Sequence, residues 1–244
     1  MKRLAVIPAR GGSKGIPRKN LARIGGHPLL TWTVAAALES GCLDRVIVST
    51  DDTEIAAVAR DAGAEVPFLR PAELARDDTP SLAVVTHMVA ALAAQGWEAE
   101  MITLLQPTSP FRTGADIRAC HELRLQNEAS AAVSVVECEA HPAWAFVQDE
   151  AGRLHPFLPG PMPTRRQDLP PAFRPNGAIF MVTRERLDGG ATFYGPDTLA
   201  YVMPPERSID IDTPWDLHLA RLLAADAIQA GESPSRETAI RFEP

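Results

Sequence analysis

Four short apolar runs, Leu4–Ile7, Val46–Val48, Met101–Leu105 and Ala131–Val136, punctuate the first 140 residues of this chain. Between them lie stretches with helical spacing of apolar residues, at about Pro28–Ser40, Thr53–Ala62, Pro80–Gln95 and Gly114–Asn127. Strands this uniformly apolar are covered on both faces, and parallel strands need a long crossover between them. The alternation therefore predicts βαβ units: an α/β fold with a mostly parallel sheet and helices on both faces. Ligands of such sheets bind beyond the carboxyl ends of the strands. The loop after Ile7, Ser49–Asp52 and Gln106–Arg112 would share that rim. Helix starts are marked by capping boxes at Thr113/Asp116 and Thr213/Asp216, the latter opening a last helix, Pro214–Ala230. Thr79 before Pro80 predicts a further cap.

The pattern breaks from Glu139 to Tyr201. This stretch holds nine of the chain's 22 prolines and several short strand candidates, Ala143–Val147, Ala178–Val182 and Leu199–Val202. It predicts an arm, 139–201, inserted into an α/β core made of 1–138 and 202–244. Pro156–Pro175 reads as an extended loop over the site. An arm so rich in proline and so poor in βαβ character does not close a core alone, which predicts a homodimer formed through it.

Ile7–Asn20, IPARGGSKGIPRKN, places four cations (Arg10, Lys14, Arg18, Lys19) and three glycines directly after the first strand. The chain has only three lysines, and two of them are here. A glycine-rich cationic loop at a strand end is suited to phosphate groups. It fits neither the P-loop pattern nor G-x-G-x-x-G. A solvated basic turn is the other reading.

Near the far end, Ser208–Asp212 reads SIDID. If extended, it puts Asp210 and Asp212 on one face and Ile209 and Ile211 on the other. Two carboxylates side by side repel unless a cation lies between them, and a magnesium ion carrying phosphate oxygens meets that need. Otherwise Asp212 would cap the last helix and Asp210 would be solvated. Gln106 follows four apolar residues, so its amide should face a partner or a ligand. Arg166 and Arg174 flank the proline-rich segment. They are either solvated or converge on a carboxylate as planar forks.

A net charge of −7 argues against nucleic acid as a partner, and makes the loop a local positive site for a small anion. No apolar run is long enough for a membrane span, and no signal-peptide core is evident. Cys42, Cys120 and Cys138 lack metal spacing and read as reduced thiols of a cytoplasmic protein.

IPARGGSKGIPRKN, VIVSTDD (46–52), FLRPAELA (68–75), LLQPTSPFRTGADIR (104–118), FRPNGAIF (173–180) and SIDIDTPWDL (208–217) together resemble the signatures of the acylneuraminate cytidylyltransferases. The resemblance spans nearly the whole chain, in order. It implies a Rossmann-like nucleotidyltransferase fold and a swapped arm that makes a homodimer. The implied reaction joins CTP to a nonulosonic acid, giving the CMP-sugar and pyrophosphate, with Mg2+. By the same resemblance, Arg10, Lys14, Lys19 and Asn20 would hold triphosphate and ribose. Arg70, Ser81 and the backbone of Thr79 would read cytosine. Gln106, Arg166, Arg174, Phe193 and Tyr194 would hold the sugar acid, the aromatic pair coming from the partner subunit. Asp210 and Asp212 would bind the metal.

Two positions depart from the sialate pattern. Ala143-Trp144 follows His141-Pro142 where a basic residue is common, and Met162-Pro163-Thr164-Arg165 lacks a glutamate before the sugar-loop arginine. Legionaminate, pseudaminate or a deaminated analogue therefore stands beside N-acetylneuraminate. Outside this class, a glycosyltransferase using a nucleotide sugar would employ Asp210 and Asp212 as its metal motif. A non-catalytic nucleotide-binding regulator would not need them.

Overall fold

The structure, a computed structural model, describes residues 1–160, 162, 164–190 and 192–229; the side chains of Arg166 and of 226–229 lie outside that description. In chain order the elements are β1 (Arg3–Pro8), β2 (Arg23–Ile24), β3 (His27–Pro28), α1 (Leu29–Glu39), β4 (Arg45–Ser49), α2 (Thr53–Asp61), α3 (Ser81–Ala94), β5 (Met101–Leu104), α4 (Gly114–Gln126) and β6 (Ala131–Glu137). They continue as β7 (Phe146–Gln148), β8 (Leu154–Pro156), β9 (Phe173–Thr183), α5 (Arg184–Asp188), β10 (Thr198–Val202) and α6 (Pro214–Gln229). Six strands form the central sheet in the order β10-β6-β9-β5-β1-β4. β1 runs parallel to β4 and β5, and β10 parallel to β6, while β9 lies antiparallel between β5 and β6.

Side chains alternate across each strand, so one strand feeds two cores. Ala5 and Ile7 face α1, α2 and α4, packing with Leu30, Val34, Ile55 and Ile117. Leu4 and Val6 face the other way, onto Val85, Met88 and Leu92 of α3. This two-sided burial is what the uniformly apolar runs predict. A third cluster lies past the strand ends, where Leu217, Ala220 and Ala224 of α6 cover Ile16, Phe111 and Ile211. It brings the C-terminal helix to the rim where β1 ends.

Three expectations are corrected. The arm does not span 139–201, because β9 and β10 are members of the sheet and Ala178–Val182 are fully or nearly fully buried. What leaves the sheet is 138–172, closed at its base by the Cys138 N–H on the Ala172 carbonyl (2.8 Å). Within it, Ala143–Val147 divides into a 3-10 turn, Pro142–Trp144, and the start of an exposed β7–β8 hairpin. Second, Ser208–Asp212 forms no sheet strand. It follows a 3-10 turn, Pro205–Arg207, and is tied to the loop after β5 by the Ile211 N–H on the Thr108 carbonyl (2.8 Å). Ile211 is buried and Ile209 half-buried, but against α6 rather than within a ladder. Third, Thr79 does not cap α3. Pro80 occupies that position without a side-chain bond, and the Thr79 hydroxyl reaches the Glu73 carbonyl instead (3.5 Å). Both predicted capping boxes are present, at Thr113/Asp116 and at Thr213/Asp216.

Candidate active site

The loop after β1 is anchored by its own polar atoms. The Gly11 N–H donates to Asp51 (3.0 Å), and the buried Asn20 amide donates to the Arg10 carbonyl (2.9 Å). A side chain at Gly15 would place its Cβ 2.6 Å from the Asp212 carbonyl oxygen, so only glycine lets the loop lie against the C-terminal aspartates. Lys19 closes this contact. Its ammonium donates to the Ile211 carbonyl (2.8 Å) and to Asp212 (3.0 Å), with its side chain only 14% exposed. Arg18 turns away in a left-handed conformation and pairs with Asp52 and Glu54 at the start of α2.

The opposite wall comes from the stretch between β4 and α3. Arg70 is buried, its guanidinium 3% exposed and 3.6 Å from Asp51, and its Nε and Nη2 carry no hydrogen-bond partner. Burial pulls its pKa down, opposed by Asp51. Buried, unpaired donors beside a cleft are what a polar ligand would satisfy. Arg10, Lys19, Asn20, Arg70, Thr79, Ser81 and Gln106 line one cleft. Three segments far apart in sequence thus meet in one place. Lys14 stands at the mouth, 81% exposed, and pairs with Asp77 (2.7 Å), as does Arg10.

The floor is fixed by a buried clamp that sequence reasoning did not identify. Arg112 is fully buried and donates to the carbonyls of Gln106 (2.6 Å) and Ala178 (2.6 Å) and to the Thr33 hydroxyl. Burial lowers its pKa to about 9, with Asp116 and Asp210 opposing, and it remains charged at neutral pH. Asn176 is also buried. Its carbonyl oxygens accept from Ser109 (3.0 Å) and Ser134 (2.6 Å), and its amide donates to Ser208 (2.9 Å). Gly177, at φ 74°, makes the bend, and a Cβ there would meet Gln106, Ser109 and Asp210 within 3.2 Å. The signal for this clamp was the polar PTSPFR run after an apolar strand and the RPNG run at the start of another.

Asp210 is half-buried at the head of this clamp. Burial raises its pKa, with Asp212 adding to the effect and Thr108, Lys19 and Arg174 opposing. Its Oδ1 is buried without a hydrogen-bond partner. Asp212 is exposed and ties to Lys19, and it does not cap α6: that cap is Thr213 with Asp216. The orphaned oxygen and the adjacent carboxylate fit a cation bound through hard oxygen ligands. Among the described residues no third acidic, histidine or cysteine ligand joins them.

The sugar-side residues are less gathered. Gln106 lines the cleft, and the exposed Arg174 is near enough to Asp210 to affect its charge. The Arg166 side chain lies outside the described residues. Phe193 is buried, its ring 5.4 Å from that of Phe180 in the second core cluster. It is therefore spent on packing within its own chain, which corrects its assignment to a ligand. Tyr194 is 53% exposed.

Residues 4–169 match the family described as Cytidylyltransferase. The chain is 36% identical over 230 residues to the CMP-N,N'-diacetyllegionaminic acid synthase of Legionella pneumophila, covering 91% of this chain and 96% of that one. It is 34% identical over 223 residues to the pseudaminic acid cytidylyltransferase of Campylobacter jejuni, with the same coverage. Among solved structures, a CMP:2-keto-3-deoxy-manno-octonic acid synthetase complexed with CTP superposes with a TM-score of 0.67 at 19% identity, covering 93% of this chain and 99% of that chain.

Proposed function

The chain belongs to the cytidylyltransferase family, and from that premise we propose that it couples CTP to a nonulosonic acid, releasing pyrophosphate and the CMP-activated sugar. One observation carries this reading: a single cleft gathers loop cations, a buried arginine whose Nε and Nη2 lack hydrogen-bond partners, and Gln106 from three separate segments. Nucleotidyl transfer rests on positioning and charge neutralisation, which such a site supplies without a protein nucleophile. Arg10, Lys14, Lys19 and Asn20 hold triphosphate and ribose, and Arg70, Thr79 and Ser81 contact the base. Gln106, Arg166, Arg174 and Tyr194 hold the sugar acid, with an arginine fork on its carboxylate.

Asp210 and Asp212 hold Mg2+, and the orphaned Oδ1 of Asp210 is the atom that supports this. Held there, the ion would neutralise charge on the triphosphate. Lys19 orients Asp212, and the buried clamp orients Asp210 through Ser208.

The sugar is of the legionaminate or pseudaminate class. Relatives named for legionaminate, pseudaminate and N-acylneuraminate match at similar identity, so it is the departures at Ala143-Trp144 and 162–165 that favour this over N-acetylneuraminate. The enzyme is a homodimer joined through the β7–β8 hairpin, whose Phe146, Val147, Leu154, Phe157 and Leu158 are exposed. Contiguous apolar surface of this kind marks association sites. Among the described residues no helix is long and apolar enough to cross a membrane, and a CTP-consuming enzyme belongs in the cytoplasm.

The test is pyrophosphate release from CTP and Mg2+ against a panel of nonulosonic acids. Release that depends on one sugar class is expected. Absence of release with every sugar, or release independent of sugar, overturns the reading. Sedimentation at micromolar concentration checks the dimer, and a fully active monomer would refute it.

A further inference from the structure

Asp77 makes a contact that the proposed reaction does not use. One of its carboxylate oxygens pairs with Arg10 and the other with Lys14 (2.7 Å). Both cations belong to the loop after β1, more than 60 residues away in sequence. Among the described residues neither makes any other ion pair. Asp77 lines the cleft with Leu74, Arg76 and Thr79, in the segment that joins Arg70 to α3. A carboxylate bridging two phosphate-binding cations is a small copy of the anion that the cations await.

We propose that Asp77 is an internal occupant of the polyphosphate subsite, which neutralises Arg10 and Lys14 in the empty enzyme, draws 71–80 over the cleft, and is displaced by the incoming triphosphate. This rests on the reading of the cleft as a CTP site. Exposed ion pairs are weak and exchange readily. Phosphate offers more charge and more acceptor oxygens than a carboxylate, so the exchange runs towards the ligand. Lys14 and Arg10 hold the carboxyl below the usual carboxylate range, so it is charged at neutral pH and competes throughout. Displacement has two consequences. It subtracts from nucleotide affinity, and it frees the segment carrying Thr79 when phosphate arrives. On the way out the returning carboxylate competes with pyrophosphate for the same two cations, which favours release.

The experiment is calorimetric titration of wild type, Asp77→Asn and Asp77→Glu with CTP, inorganic tripolyphosphate and cytidine, at fixed ionic strength. Asp77→Asn is expected to bind tripolyphosphate and CTP roughly threefold to tenfold more tightly. Cytidine, which has no phosphate, should bind no more tightly than to wild type. Asp77→Glu, which keeps the charge, should return towards wild-type affinity. Tripolyphosphate affinity that is unchanged or weakened in Asp77→Asn overturns the proposal, because the carboxylate then merely supports the loop. Equal tightening by Glu and Asn overturns it too, since charge is then not the cause. Wild type that binds CTP while Asp77→Asn shows no gain refutes only the displacement. Wild type that binds neither CTP nor tripolyphosphate refutes the CTP reading and this inference with it.

Discussion

On the loop side of the cleft, charge meets charge at the surface: Arg10 and Lys14 with Asp77, Arg18 with Asp52 and Glu54. On the sheet side, Arg112 and Asn176 are buried and meet mostly carbonyls and hydroxyls, with little water in reach. The first kind of contact is worth about 0–1 kcal/mol per pair and can be exchanged for a ligand. The second leaves unsatisfied groups in the interior when broken, at about 1–3 kcal/mol each. A site that must grip and release a polyanion is thus built as a loose ionic lip on a rigid polar floor. Lys19 lies between the two regimes, half-buried and tied to the Ile211 carbonyl, so it is more structural than an exposed loop cation would be.

The sharpest way to separate the two regimes lies at their junction. Asp210→Asn should lower turnover on the order of 10²–10³-fold, as loss of a group that stabilises transferring charge does. The same change should raise the melting temperature in metal-free buffer. Burial raises the folded pKa of Asp210, so its ionised form weakens the fold above that pKa, and a neutral amide removes the burden. A lower melting temperature with normal turnover would contradict both halves.

Next in size is Arg112→Met, which leaves the Gln106 and Ala178 carbonyls without their donor. A loss of about 2–4 kcal/mol in urea unfolding is expected, although the variant no longer buries a charge. A neutral result would mean that the clamp is not rigid and that the contrast between lip and floor fails.

Acid should weaken the floor through Asp116. Although burial opposes it, hydrogen bonds from Arg207 and Thr113 hold the Asp116 carboxyl below its usual value of 3.8. An acid with a depressed folded pKa stabilises the fold above its unfolded pKa, and that stability is lost as pH falls through the folded value. Urea midpoints should therefore drop on acidification below about pH 4. Asp116→Asn should start lower at neutral pH and show a flatter acid limb. An unchanged slope would remove Asp116 from the account of how the 205–207 turn, and with it Asp210, is held.

The smallest effect belongs to the lip. Lys14→Ala should change unfolding free energy by less than about 0.5 kcal/mol, since its ammonium is largely in water. Its KM for CTP should rise nonetheless. A destabilisation comparable with that of Arg112→Met would show that the lip is not loose.

Much of this architecture was written locally. Apolar runs at regular intervals specify strands buried on both faces, and Thr113 and Thr213 announce their helices with an aspartate three residues on, because caps and periodicity act within one turn of chain. A cationic glycine loop directly after the first strand marks the phosphate end for the same reason: its position relative to the strand is a local fact. Partners are not local. That β9 enters antiparallel between β5 and β6, and so withdraws 173–183 from the arm, depends on pairing with strands well back along the chain. Family resemblance assigns Phe193 to the sugar acid, and only the fold shows it buried against Phe180. Arg112 and Asp77 show the same division. The chain announces a cation and an anion, but whether each ends among carbonyls or beside Arg10 and Lys14 is set by which distant segments share the space, since Coulomb and hydrogen-bond energies depend on distance and burial rather than on sequence separation.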